Sequence, residues 1–128
     1  MKPGDILPVE EKIFSATDLV MYAGATWDWH RLHHDKDFAQ GMGLPAPVID
    51  GQIYGALFAK QATTWLGPRW FVQKQKFRMR AMAFAGDTLR MEGEVGTAGS
   101  DGAVEIIQKI TKGDIIVAEA TTQVRLLP

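Results

Sequence analysis

Cysteine is absent from the 128 residues, which excludes disulfides and thiolate zinc sites. Long apolar runs are missing too. The most apolar region is broken by Lys60 and Gln61, and the opening Met1-Lys2-Pro3-Gly4-Asp5 has no leader-like core, so no membrane span is expected and the cytoplasm is the expected compartment. Neither sign of charge dominates. With 14 Lys and Arg against 15 Asp and Glu, the net charge of -1 argues against a nucleic-acid surface. No repeat, low-complexity tract or linker divides the chain. Its length suits one domain over residues 1–128, and 46% hydrophobic with 23% charged residues is an ordinary globular composition.

Histidine is scarce but concentrated. All three, His30, His33 and His34, lie in the stretch Tyr22-Ala-Gly-Ala-Thr-Trp-Asp-Trp-His-Arg-Leu-His-His-Asp35, with Asp28 and Asp35 on either side and Trp27 and Trp29 close by. Asp28 and His33 are five apart in a segment leaving a helix, a spacing that lets a carboxylate and an imidazole meet on one water. Such a pair suits hydration of an activated double bond or the reverse elimination, because imidazole titrates near neutral pH and the carboxylate supplies negative charge. Zinc is the competing reading. His30 and His34 would share a helical face, with Asp28 or Asp35 as a further ligand, but the two tryptophans and the lack of a fourth ligand count against it, and no metal is expected. Trp27 and Trp29 read as packing residues and His34 as a surface residue.

The surrounding pattern gives the architecture. Val9–Phe14 reads as a short charged strand, and Ser15 with Asp18 three residues on reads as the start of a helix running to about Ala25. Lys36–Gln40 allows one or two helical turns, and Leu44-Pro-Ala-Pro47 must be irregular. A longer helix is predicted from about Gly51 to Leu66, closed by Gly67-Pro68. It mixes Ile53, Leu57, Phe58 and Trp65 with Gly55, Ala56, Ala59 and Ala62, and so is slender and apolar on most sides. The second half is strand: Arg69–Met82, with Phe71, Gln73, Gln75, Phe77 and Met79 on one face, then Asp87–Val95, Ala103–Thr111 and Ile115–Leu126, separated by turns. An antiparallel meander curled around one enclosed helix is an α+β fold of hot-dog type. Its open edge predicts at least a dimer, with a second copy or a related chain.

Two further features bear on chemistry. Gly51 opens the enclosed helix with no side chain in the way, so its N-H could face an oxygen on which negative charge develops; equally, Asp50-Gly51 could be only a cap. Lys74, Lys76, Arg78 and Arg80 form a basic stripe. Pairing with Glu92 and Glu94 on the next strand is the favoured account for most of them, leaving one or two for phosphate groups.

The Tyr22–His33 stretch resembles the hydratase-2 motif of the MaoC-like (R)-specific enoyl-CoA hydratases, roughly Asp-x-Asn-Pro-aliphatic-His, and the similarity covers most of the chain. The resemblance implies a hot-dog fold and hydration of a trans-2-enoyl-CoA to a 3-hydroxyacyl-CoA, or the reverse. It places Asp28 and His33 on the family's catalytic positions and Gly51 near the oxyanion-binding helix start, with coenzyme A entering as part of the substrate and no separate cofactor. His33-His34-Asp35 and Trp65-Leu-Gly-Pro68 are similar to a narrower group, the short catalytic subunits of heteromeric hydratases acting on steroid side-chain CoA thioesters. That similarity implies a bulky acyl group and a homodimer or a heteromer with a related subunit.

The departures fall at three positions. The family's Asn is His30, its Pro is Arg31, and the His before the helix-start Gly is Asp50. Asp50 and His30 remain substrate-binding candidates. A carboxylate at position 50 also admits a hot-dog thioesterase, in which it would activate water against the thioester carbonyl. The missing Asn and Pro admit a noncatalytic acyl-thioester-binding subunit.

Overall fold

The structure is a computed structural model that describes residues 1–128. Five antiparallel strands, β1 (Glu10–Ile13), β2 (Trp70–Met79), β3 (Thr88–Ala98), β4 (Ala103–Lys112) and β5 (Ile115–Leu126), curl around the long helix α3 (Gln52–Leu66). Two shorter helices, α1 (Ala16–Thr26) and α2 (Lys36–Gly41), and a 3-10 turn at Arg31–His33 precede it. This is the hot-dog arrangement. No helix is long and apolar enough to cross a membrane.

Strand order is β1-β3-β4-β5-β2. The last three strands form the expected meander, but β2 does not join its sequence neighbour β3. It crosses to the far edge and pairs with β5. A second difference arises inside β2, where Val72 pairs with Val124 and Lys74 with Gln123, leaving Gln73 as an extra residue. Such a bulge reverses the alternation. Trp70 and Val72 therefore point inward with Gln75, Phe77 and Met79, while Phe71 and Gln73 turn outward; the Gln73 side chain accepts from Gln123 and Arg125. The expected pairing of the basic stripe with Glu92 and Glu94 fails for the same topological reason. Lys74, Lys76 and Arg78 lie opposite Gln123, Thr121 and Glu119, whereas Glu92 is held by Arg90 and Lys109 and Arg80 takes Glu119.

The helix is slender because β2 needs the room. A Cβ at Gly55 would lie 2.8 Å from Phe77 Cε1. Two apolar clusters flank α3, one around Ile53, Tyr54, Phe58, Leu89, Ile110 and Val117, the other around Ala62, Val95, Ile106 and Val124. Gln61, Gln108 and Thr122 sit between them at the corresponding register of α3, β4 and β5. Gln108 Nε2 donates to Phe58 O and to Gln61 Oε1, both at 2.9 Å, and Thr122 Oγ1 donates to Gln108 Oε1 at 2.6 Å. Buried polar groups persist when so paired.

Ser15 and Asp18 cap α1 reciprocally, as the sequence predicts. At its other end Trp27 adopts the left-handed conformation, φ 57°, with its N-H and that of Asp28 both returned to Ala23 O. This cap normally uses Gly. The expected packing role fails for Trp27, which is 81% exposed because the reversed backbone throws its ring off the helix, while Trp29, 44% exposed, packs its ring over Gly24 of α1 and against His34.

Two stability measurements follow. Gln108→Leu takes away the acceptor of the buried Thr122 hydroxyl and the donor to Gln61 Oε1, leaving Thr122 only the bond it accepts from Gln75, and should cost about 3 kcal/mol in chemical denaturation with the slope unchanged. Trp27→Gly, which relieves the left-handed backbone while giving up little burial, should raise stability by up to about 1 kcal/mol.

Candidate active site

The α1 terminus delivers Asp28, and the turn that follows is built by the neighbouring histidine. The N-H of His30 points at Asp28 Oδ1, 3.4 Å away, and His30 Nδ1 accepts from Leu32 N-H at 3.2 Å, so this ring caps the 3-10 turn. Arg31 and Asp35 brace the turn at 2.9 Å, and Asp35 also caps α2 through Phe38 N-H. Residue 48 then clamps the turn from both sides. Val48 N-H donates to Leu32 O and His33 Nδ1-H donates to Val48 O, each at 2.8 Å. A carbonyl can only accept, so the His33 proton is fixed on Nδ1 and Nε2 keeps its lone pair in the neutral ring.

Two residues further on, Asp50 meets this lone pair. His33 Nε2 lies 4.0 Å from Asp50 Oδ2, and one polar atom each from Asp28, His33 and Asp50 lie within 4.8 Å of one another. Asp50 is buried, and its Oδ1 accepts from Gln52 N-H at 3.0 Å. Burial pushes the Asp50 carboxyl above its ordinary range and the neighbouring Asp28 acid adds to this; Gln52 N-H and His33 pull the other way but do not prevail. Asp28 shifts oppositely. The acid of Asp50 beside it, then the N-H of His30, hold it below the usual carboxylate range. The two carboxyls therefore shift in opposite directions, Asp50 holding its proton to higher pH than Asp28.

Gly51 is the residue before α3, with helical φ and ψ of -61° and -23° and no side-chain cap. Its N-H has no acceptor within the chain. The expectation that its missing side chain leaves an open approach needs correction, because a Cβ there would collide with Met79 Sδ. The space is used by a flexible, 60% exposed thioether.

The structure thus brings Asp28, His33, Asp50 and Gly51 together, with His30 beside them as a turn-builder whose ring lies 5.9 Å from that of His33. The zinc set of His30 and His34 is not assembled: His34 Nε2-H donates to Trp29 O at 3.0 Å and its ring meets the edge of Trp29. Lys74, Lys76 and Arg78 lie on the outer face of β2, opposite to Met79, where Lys76 and Arg78 with Ile107 border a groove of about 800 Å³ that Asp28, His33 and Asp50 do not line. Sequence reasoning missed the tyrosines. Tyr22 on α1 is raised by burial and by the charges of Asp50 and Asp28, and burial with Asp87 and Asp50 nearby pushes Tyr54 up to about 12. The signals were there: Tyr22 opens the motif, and Tyr54 is one helical turn past Asp50.

Residues 5–119 match the family model described as MaoC like domain, and the chain belongs to that family of hydratases and dehydratases. It is 30% identical over 124 residues, 95% of both chains, to the 3-oxo-4,17-pregnadiene-20-carboxyl-CoA hydratase beta subunit of Mycobacterium tuberculosis. Among solved structures it superimposes on a chain of the ChsH1-ChsH2 complex from M. tuberculosis with a TM-score of 0.89 at 27% identity, covering 97% of each chain. The fold also matches the (R)-hydratase from A. caviae involved in PHA biosynthesis, with a TM-score of 0.90 at 22% identity over 100% of this chain and 98% of that one.

A raised carboxyl lowers stability as pH rises from the ordinary aspartate value to its own, since the folded state binds the proton that the unfolded state has released. Asp50→Asn removes this loss. Its melting temperature should exceed the parent's at neutral pH and approach it below the ordinary aspartate range, as thermal unfolding across pH would show.

Proposed function

We propose that this chain hydrates the double bond of a trans-2-enoyl-CoA to give a 3-hydroxyacyl-CoA, or runs the reverse dehydration. The observation that carries this reading is the convergence of Asp28 and His33, with the His33 lone pair on Nε2 turned toward the space they share. A water there gives one proton to Nε2 while Asp28 accepts its second hydrogen and orients it. Its oxygen bonds to C3, the C2=C3 electrons move onto the thioester oxygen, and Gly51 N-H at the start of α3 faces the resulting enolate. The imidazolium then returns the proton to C2, so one water is added and the enzyme is regenerated. The His33 cation is transient and sits beside the Asp28 carboxylate, which favours it.

The acyl group is read as bulky, by similarity to the steroid hydratase subunit. Asp28 and His33 are only half-buried in the single chain and β2 is a long unpaired edge, so the site is read as completed by a second hot-dog subunit, either another copy or a related chain. For coenzyme A phosphates, Lys74, Lys76 and Arg78 remain the candidate cations. They suit a chain end that passes around the β2 edge.

The test is loss of enoyl-thioester absorbance on adding the protein, alone and in the assembly isolated from its native host. Asp28→Asn and His33→Ala should each lower kcat by about a hundred- to ten-thousand-fold, the usual worth of a positioned acid or base. Release of free coenzyme A with no hydroxyacyl product would instead establish a thioesterase. Binding of acyl thioester with neither product would establish a noncatalytic subunit.

A further inference from the structure

Asp50 presents a difficulty that its surroundings resolve. An ionised carboxylate next to the first free amide of α3 would oppose any negative charge placed on that amide, cancelling the benefit of the helix start. The groups around it say which form it takes. From the α1 terminus comes Asp28, an acid of the same sign; from the 3-10 turn, His33, whose nearest ring nitrogen is an acceptor in the neutral ring; from α1, Tyr22; and from α3 itself, Gln52 N-H and Tyr54, with Asp87 beyond. Met79 closes the β2 side of the same helix start without charge. No Lys or Arg pairs with Asp50; His33 at 4.0 Å is its one ion-pair neighbour. Two acids this close, one buried and one half-exposed, do not both ionise readily, and the buried one keeps the proton.

We propose that Asp50 is a positioning residue that acts as a neutral carboxylic acid, donating its O-H to Asp28 so that this carboxylate is aimed at the water, and adding no charge where the enolate forms. This deepens the hydratase reading and rests on it. One oxygen of Asp50 is already fixed by Gln52 N-H, which leaves the other to carry the proton toward Asp28. The same geometry accounts for tolerance of an acid at position 50, where the resemblance expects His. A neutral acid and a neutral imidazole can both donate without bringing a negative charge to the helix start. Burial supports this assignment, since it holds the Asp50 proton to higher pH than the Asp28 proton.

The variants are Asp50→Asn, which keeps a neutral donor, and Asp50→Ala, which does not. In the parent assembly kcat/KM should fall as pH passes the ionisation of Asp50, above the ordinary carboxylate range. Asp50→Asn should lose that fall while keeping kcat within about threefold at the parent's optimum, and Asp50→Ala should lose kcat by about tenfold or more with KM little changed. Carboxyl carbon titration by NMR reads the same claim without catalysis: Asp50 should titrate above Asp28 in the parent. The proposal is overturned by Asp50→Asn and Asp50→Ala behaving alike, by an alkaline fall that survives in Asp50→Asn, or by Asp50 titrating at or below Asp28. A parent that hydrates no enoyl thioester would sink the hydratase reading instead, and the NMR order would still decide the protonation of Asp50.

Discussion

The site depends on the backbone of Val48. Its carbonyl takes the His33 Nδ1 proton and its N-H reaches back to Leu32 O, so one residue fixes the ring's tautomer and the position of the turn that carries it. The same segment is tied on its other side to the connection between β2 and β3, through Ile49 N-H to Ala83 O and Ala85 N-H to Pro47 O. His33 is therefore braced against the body of the fold although it stands on a short turn. Hydrogen bonds of this kind outside the reacting groups decide which nitrogen is available for chemistry. Asp50 follows on the chain two residues later, which makes the meeting of imidazole and buried acid a consequence of one strap.

The enclosed helix supplies the other half of the design. α3 can sit inside a five-stranded sheet because Gly51 and Gly55 let Met79 and Phe77 approach its surface. That closeness brings its first amide into a poorly solvated place, where a helix terminus has more electrostatic effect than on an open surface. The Gln61–Gln108–Thr122 bridge ties the middle of the same helix to β4 and β5, so the distance from helix start to strand is set by packing and by directed bonds together.

Much of this was legible before any coordinates. The capping pair Ser15–Asp18, the Gly-and-Ala dilution of the long helix, the turn residues at Gly99–Gly102 and Lys112–Asp114, and the spacing of Asp28 and His33 are local signals, and local signals survive folding. The misreadings were non-local. Nothing in the alternation of β2 announces that Gln73 will be extruded by its partner strand, or that the partner is β5 and not β3. A packing role suits both tryptophans because large aromatics usually are buried, and it holds for Trp29 over Gly24; the left-handed cap that exposes Trp27 normally belongs to Gly. Gly51 was read as open space, a negative that only the neighbour Met79 could fill. Asp50 departs from the resemblance; that it lies beside Asp28 and His33 needed the three side chains in one frame.

These exceptions are not scattered. Apart from the β2 bulge and the buried Gln61 Nε2, which has no partner, the rest of the chain follows ordinary rules: apolar residues alternate inward on β3, β4 and β5, acids and bases pair on the outer sheet, and glycines hold the other left-handed positions. A left-handed Trp27 whose indole is 81% exposed, a buried acid raised above its normal range and a free helix amide all fall between residues 27 and 51. Each of these features is unfavourable or neutral for folding, and an unconstrained sequence could remove it with one substitution. Their coincidence around Asp28 and His33 is an argument independent of the motif. Stability has been given up in one place, and that place holds the groups able to move a proton.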